Sequence, residues 1–351
     1  MRVTRSHVRQ IGFLLVFAAV ISGAADVAAV ERLYLSSGTA RMRSFAMGSA
    51  YSSVEDDFSA GLMNPAGFRM NASRTERRFR LFFNPVGSAA AFSDFRDHDL
   101  DYRKDSGLTK TESLLAASML VKGAVFTTSA FDVGLVFHEP VIRDDSLMVT
   151  GGRFLSAERV TKESFHAAFA NLKVAPNISV GATGILFRTR TGGRYENRNG
   201  YIFGVLMDPT PNLKVGFSYH EIPEDLADPR VELEHIEGGT VSGGVSFYPD
   251  DGTVIAVDVR NLNKENLKTS LEIHAGAERI FADRIALRGG FYREKGTDRD
   301  VVSLGAGILP RWGHLKKYRT SSRNDILSYT FIMEERAAVR YWHMVSLFLV
   351  Y

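Results

Sequence analysis

His343-Met-Val-Ser-Leu-Phe-Leu-Val-Tyr351 closes the chain as an alternating, apolar strand that stops on an aromatic residue. An exposed apolar edge strand invites pairing with other chains, so a soluble fold has to cover it. A membrane β-barrel removes the problem by bonding its last strand to its first. The stretch therefore points to a transmembrane barrel closed by the segment that ends at Tyr351.

The other end agrees with export. Arg2, Arg5 and Arg9 precede the apolar run Ile11–Ile21, and Val27-Ala28-Ala29 supplies small residues for cleavage. That order is the pattern of a secretory signal peptide, and the run is too short to cross a membrane as a helix. Removing residues 1–29 takes away three arginines and Asp26, which leaves a formal charge near +1. So small a net charge gives no reason to expect a nucleic-acid partner. The chain has no cysteine, which excludes disulfides and thiolate metal sites.

Between the ends, period-two alternation recurs in segments of about ten residues. Leu213, Val215, Phe217 and Tyr219 fall opposite Lys214, Ser218 and His220. Ile255, Val257 and Val259 oppose Asp258 and Arg260, and Leu271, Ile273, Ala275 and Ala277 oppose Glu272, His274 and Glu278. Ile285, Leu287, Gly289 and Phe291 oppose Arg288. A sandwich would show the same alternation, but the connections separate the two cases.

Short turns at 174–176, 208–211, 250–252 and 282–283 alternate with longer connections at 191–198, 222–238 and 264–268. Outer-membrane barrels have this asymmetry, with short periplasmic turns and long external loops. Fourteen strands are expected, near 76–84, 122–130, 131–139, 161–172, 177–190, 199–208, 212–221, 239–249, 253–263, 269–280, 284–295, 300–312, 326–335 and 340–351. The long, basic connection 313–325 is the exception on the short-turn side. Thr109-Lys-Thr-Glu112, with Leu114, Leu115, Met119 and Val121 after it, predicts a short amphipathic helix in the first external loop, with a hairpin strand as the alternative. Tyr341, Trp342 and Tyr351 are expected in the interfacial aromatic girdles.

The segment before the first strand carries Gly38-Thr-Ala-Arg-Met-Arg-Ser-Phe-Ala-Met47-Gly48, then Val54-Glu-Asp56-Asp57, then Asn64-Pro65-Ala66-Gly67. This order resembles the amino-terminal region of the FadL-like outer-membrane barrels. That superfamily includes the long-chain fatty-acid transporters and the PorV-type barrels of the type IX secretion system. The stretch from Leu271 to Tyr292, followed by Ser303-Leu-Gly-Ala-Gly-Ile308, is similar to the PorV-like branch. Ser49 stands where a second glycine is common in the family, and Glu55 where alanine is common.

The resemblance implies three parts: a signal peptide over 1–29, a hatch or plug over 30–75 inside the lumen, and an all-β antiparallel barrel over 76–351. Met47, Gly48, Asp56, Asp57, Asn64, Pro65, Ala66 and Gly67 form the hatch motif. Asn64 to Gly67 reads as a tight turn on its own chemistry. Asp56 and Asp57 are candidates for pairing with lumen arginines, or for capping a short helix ahead of Phe58. The inward polar residues Lys214, His220, Asp258, Arg260, Glu272, His274, Glu278 and Arg288 are candidates for lining a path, or for pairing among themselves and with the hatch.

No catalytic constellation and no metal-ligand spacing stands out among the nine histidines, so an enzyme, a metal and a cofactor are not expected. The acidic run Glu221–Glu237 reads as a solvated external loop, or one that holds a divalent cation against lipid phosphates. The expected function is a FadL-like outer-membrane channel for hydrophobic small molecules such as long-chain fatty acids. The alternatives are a PorV-like barrel that binds secreted protein cargo, and a structural outer-membrane protein. The expected partners are outer-membrane lipid, an apolar ligand and, through the C-terminal strand, the barrel-assembly machinery. The barrel is expected to be monomeric.

Overall fold

In the computed structural model the described residues are 33–37, 39–56, 58–68, 78–89, 113–114, 117–128, 130–140, 163–191, 194–222, 239–264, 271–294, 298–309, 326–335 and 339–350. The chain opens with β1 (Leu33–Ser37), α1 (Met42–Ala46), α2 (Phe58–Met63) and a 3-10 turn at Pro65–Gly67. A long series of strands follows. These are β2 (Arg78–Phe83), β3 (Val121–Thr127), β4 (Phe131–Pro140), β5 (Glu163–Ala175), β6 (Ile178–Thr191), β7 (Arg194–Thr210) and β8 (Leu213–Glu221). Then come β9 (Thr240–Asp250), β10 (Thr253–Arg260), β11 (Glu272–Phe281), β12 (Ile285–Glu294), β13 (Arg299–Ile308), β14 (Leu327–Glu335), β15 (Val339–Leu347) and β16 (Leu349–Val350).

From β2 to β15 each strand pairs antiparallel with the next, in one continuous sheet. All fourteen segments expected from the alternation are strands of this sheet. Phe348 alone separates β15 from β16, and β16 pairs with β2 through Leu349 with Phe83 and Val350 with Phe82. The last strand is thus bonded to β14 along its length and to β2 at its tip, which returns the sheet on itself.

The pleat sorts the residues. Phe203 (51 % exposed), Ile255 (46 %) and Ile273 (47 %) point outward with Phe217, Val245, Val257 and Phe291. Their inward neighbours Asp258 (0 %), His274 (1 %) and Arg288 (1 %) are buried. Apolar side chains outside and charges inside reverse the arrangement of a soluble domain.

Three expectations are corrected. The connection expected at 191–198 is strand: β6 and β7 pair as far as Thr191 with Arg194, leaving two residues between them. Leu33–Ser37, expected within the hatch, belongs to the sheet as β1, parallel to β15. Trp342 is not a girdle residue. Strand alternation turns it inward, 3 % exposed, against Met42 and Phe45, while its neighbour Tyr341 stacks on Phe331 on the other face. As expected, residues 113–114 and 117–118 of the first loop are helical, with Leu114 exposed and Met119 buried. The connection 313–325, most of the acidic loop, Asp57, Leu115 and Tyr351 lie outside the described residues.

Candidate functional site

The lumen is filled by the chain's own residues 39–68, nearly all of them buried. Their short helices have too few turns to be stable alone, so packing and the wall's polar groups must hold them. The wall offers two different surfaces. From β2 to β7 its inner face carries a large apolar patch beside the buried polar residues Lys122, Glu139, Asn171 and Thr183, and Phe82, Val125, Val136, Phe165, Phe169, Ile185, Phe187 and Ile202 form one cluster with Phe58, Leu62 and Phe68 of the plug. From β8 to β15 it is mostly polar, and it meets plug backbone.

That backbone would be costly to bury unpaired, and the wall pairs it. The Asp258 carboxylate accepts from the amides of Tyr51 and Ser52, both at 2.7 Å. Arg260 donates to the Ser49 carbonyl at 2.7 Å, and His274 Nδ1 lies 2.7 Å from the Gly48 carbonyl. Thr183 donates to Gly61 at 2.6 Å, Ser246 to Ser53 at 2.8 Å, and Asn171 to Phe68 at 2.9 Å.

Glycines in the wall let the plug backbone come this close. A Cβ at Gly276 would lie 2.2 Å from the Met47 carbonyl oxygen, and one at Gly290 would lie 2.0 Å from the Gly48 nitrogen. These two wall glycines face each other across β11 and β12. Gly48 itself has a φ of 61° and passes against Phe291, so a side chain there is excluded twice over. Ser49 also sits in the left-handed region, at a φ of 57°.

Ion pairs fasten the plug at three places. Arg43 of α1 reaches Asp56 at 2.7 Å and Glu278 at 2.6 Å, and Glu278 also holds Arg288 at 2.6 Å. Two guanidinium groups thus meet two carboxylates in a cluster of zero net charge. Burial, above all, raises the pKa of the Tyr51 phenol, which stays protonated and donates to Asp56 at 2.5 Å. At the second place Glu139 accepts from the Ala40 amide at 2.9 Å and pairs with Lys122 at 2.6 Å and Arg41 at 3.3 Å. At the third, Lys214 lies 2.9 Å from Asp208 and 3.3 Å from Glu55. Glu55 of the plug is thus tied to the wall.

All eight inward candidates, Lys214, His220, Asp258, Arg260, Glu272, His274, Glu278 and Arg288, are buried on the inner face. Lys214, His220, Asp258, Arg260, His274 and Glu278 contact the plug directly. Glu272 instead bonds His274 and Asn261. Within the hatch motif, Asn64 accepts from the Ala66 amide at 3.1 Å and starts the 3-10 turn, with Pro65 in its first positions. Asp56 pairs with Arg43 of the plug rather than with an arginine of the wall.

Sequence reasoning missed Arg41, Arg43, Lys122, Glu139 and the wall glycines. The glycines did leave a signal, because Gly216, Gly276 and Gly290 interrupt strands at inward positions. Among the described residues no three His, Asp or Glu side chains gather as a metal site. No helix among them is long and apolar enough to cross a membrane.

No family model matches the chain, and no curated protein does. Among solved structures, the chain is similar to the "CymD monoaromatic hydrocarbon channel" at 11 % identity and a TM-score of 0.46, covering 89 % of this chain and 95 % of that one. A triple mutant of the Rhodopseudomonas blastica porin aligns at 4 % identity and a TM-score of 0.33, over 66 % of this chain and 77 % of the porin. Scores this low leave function to be read from the chain's own residues and geometry.

Proposed function

We propose that this protein is an outer-membrane β-barrel that acts as a plugged channel for hydrophobic small molecules, long-chain fatty acids among them. The observation that carries the reading is the inside-out sorting of side chains around a lumen filled by a polypeptide segment. A ring of outward Phe, Ile and Val fits the hydrocarbon of a bilayer. A lumen closed by a segment held through hydrogen bonds and ion pairs, rather than by interlocking wall side chains, can be cleared when that segment moves. The apolar patch on the inner wall from β2 to β7 supports an apolar solute, since it would offer Phe82, Phe165, Phe169 and Phe187 to a ligand that displaced α2. The sequence resemblance to FadL-like barrels points the same way.

One observation favours the protein-cargo alternative. β6 and β7 run for 14 and 17 residues, longer than a strand needs to cross a bilayer, and residues 196–199 of the hairpin are exposed. Such a hairpin offers a surface to a protein partner.

Native mass spectrometry of the barrel, gently extracted from its own membrane, distinguishes the two. A stoichiometric apolar ligand of low mass supports transport, and a co-purifying protein with no small ligand supports cargo binding. A chain that stays soluble without detergent would sink both.

A further inference from the structure

The wall has a notch beside its last strand. β2 would have to continue past Phe83 to cover the upper edge of β15, and its sequence forbids that. Pro85 has no amide to give a ladder, Asn84 turns the chain by accepting from the Gly87 amide at 2.8 Å, and residues 85–89 are helical. Only Leu349 and Val350 therefore meet β2. The edge from Tyr341 to Val345 is left without a barrel neighbour, and unpaired backbone groups facing hydrocarbon cost several kcal/mol each.

β1 covers that edge, in parallel register from Leu33 with Tyr341 to Ser37 with Val345. Among the described residues β1 has no other strand partner, so one five-residue ladder holds it. A single residue separates it from Thr39, which donates to Glu139 at the start of the plug. Two peptide units span about 7 Å at most. Behind the same notch, Met42 and Phe45 of α1 pack on Trp342, Met344 and Ile332.

We propose that β1 is a removable stave of the barrel wall, so that displacing the start of the plug also unzips β1 and opens a slot beside β15. Axial unplugging and opening of the wall are then one event. The linker is too short for α1 to leave while β1 stays in place. The ladder that must break is parallel and short, the weaker kind of pairing. This inference rests on the plugged-channel reading and adds that the plug supplies part of the wall.

The absence of native cysteine allows a clean test with two disulfide locks. Ser37→Cys with Val345→Cys ties β1 to β15, at positions that face each other in the register. Ser53→Cys with Ser246→Cys ties the middle of the plug to β9, where the serines already touch. Each variant is reconstituted in planar bilayers, and potassium chloride current is recorded under oxidant and then reductant. The expected result is that spontaneous openings vanish under oxidant for both locks and return on reduction, which also proves that the variants fold. If only the Ser53–Ser246 lock closes the barrel, the stave is overturned and the plug reading survives. If neither lock changes the openings, both fail.

Discussion

Removing the charge of Glu278 gives the sharpest test of how the plug is held. Glu278 is buried between Arg43 and Arg288, and Arg43 also holds Asp56, so the four groups cancel in charge. Glu278→Gln leaves two guanidinium groups and one carboxylate, a net positive charge with no route to water. Breaking a buried ion pair by removing one partner typically costs about 3–5 kcal/mol. Because Arg43 belongs to the plug and Arg288 to the wall, the repulsion falls on the docked state alone. At roughly 1.4 kcal/mol per factor of ten, the undocked population should rise about a hundredfold to a few thousandfold.

The assay is amide hydrogen exchange of residues 42–56 in lipid nanodiscs, with bilayer conductance as a second readout. Adding Arg288→Met restores neutrality, since Arg43 and Asp56 remain as a pair, so Glu278→Gln/Arg288→Met should recover most of the protection. Two results refute the reasoning: unchanged exchange in the single variant, or a double variant looser than the single.

Other variants probe separate links. Gly290→Val places side-chain atoms where the Gly48 backbone runs, so the barrel should form with unchanged β-sheet circular dichroism but conduct constitutively. Lys214→Met removes the cation beside the buried Glu55, and adding Glu55→Ala should restore exchange protection near Ser53. Ser49→Gly relieves a left-handed residue and should raise the unfolding temperature, with a gain of about 0.5–1 kcal/mol once the added chain entropy is counted. Val257→Arg puts a charge on the outward face of β10, and refolding into lipid vesicles should lose about 2–4 kcal/mol if that position lies near the bilayer midplane.

The strands were legible because alternation is local. Val257 and Asp258 declare opposite faces without reference to anything else in the chain, and the structure keeps them so. The Asn64–Gly67 turn was legible for the same reason, since Asn64 bonds two residues ahead of itself. Apart from the link between β6 and β7, what failed depended on distant residues. Trp342 reads as an interfacial aromatic until α1 is found behind it. Leu33–Ser37 carries too short a pattern to announce a strand, and its partner lies at the far end of the chain.

The sequence alone determined the all-β class, the fourteen antiparallel strands from β2 to β15, eight of the inward polar residues and the turn that shapes the plug. These follow from period-two alternation and turn chemistry, which act between near neighbours. Only the tertiary structure decided which charges meet: Arg43 with Glu278, Glu139 with Lys122, Glu55 with Lys214. It also decided that the wall is completed by β1. Ring closure and docking of the plug bring together residues hundreds of positions apart, and composition carries no record of which inward side chain ends beside which. A polar lumen can pair its charges in many ways, and the path of the plug backbone, steered by the glycines that admit it, selects one.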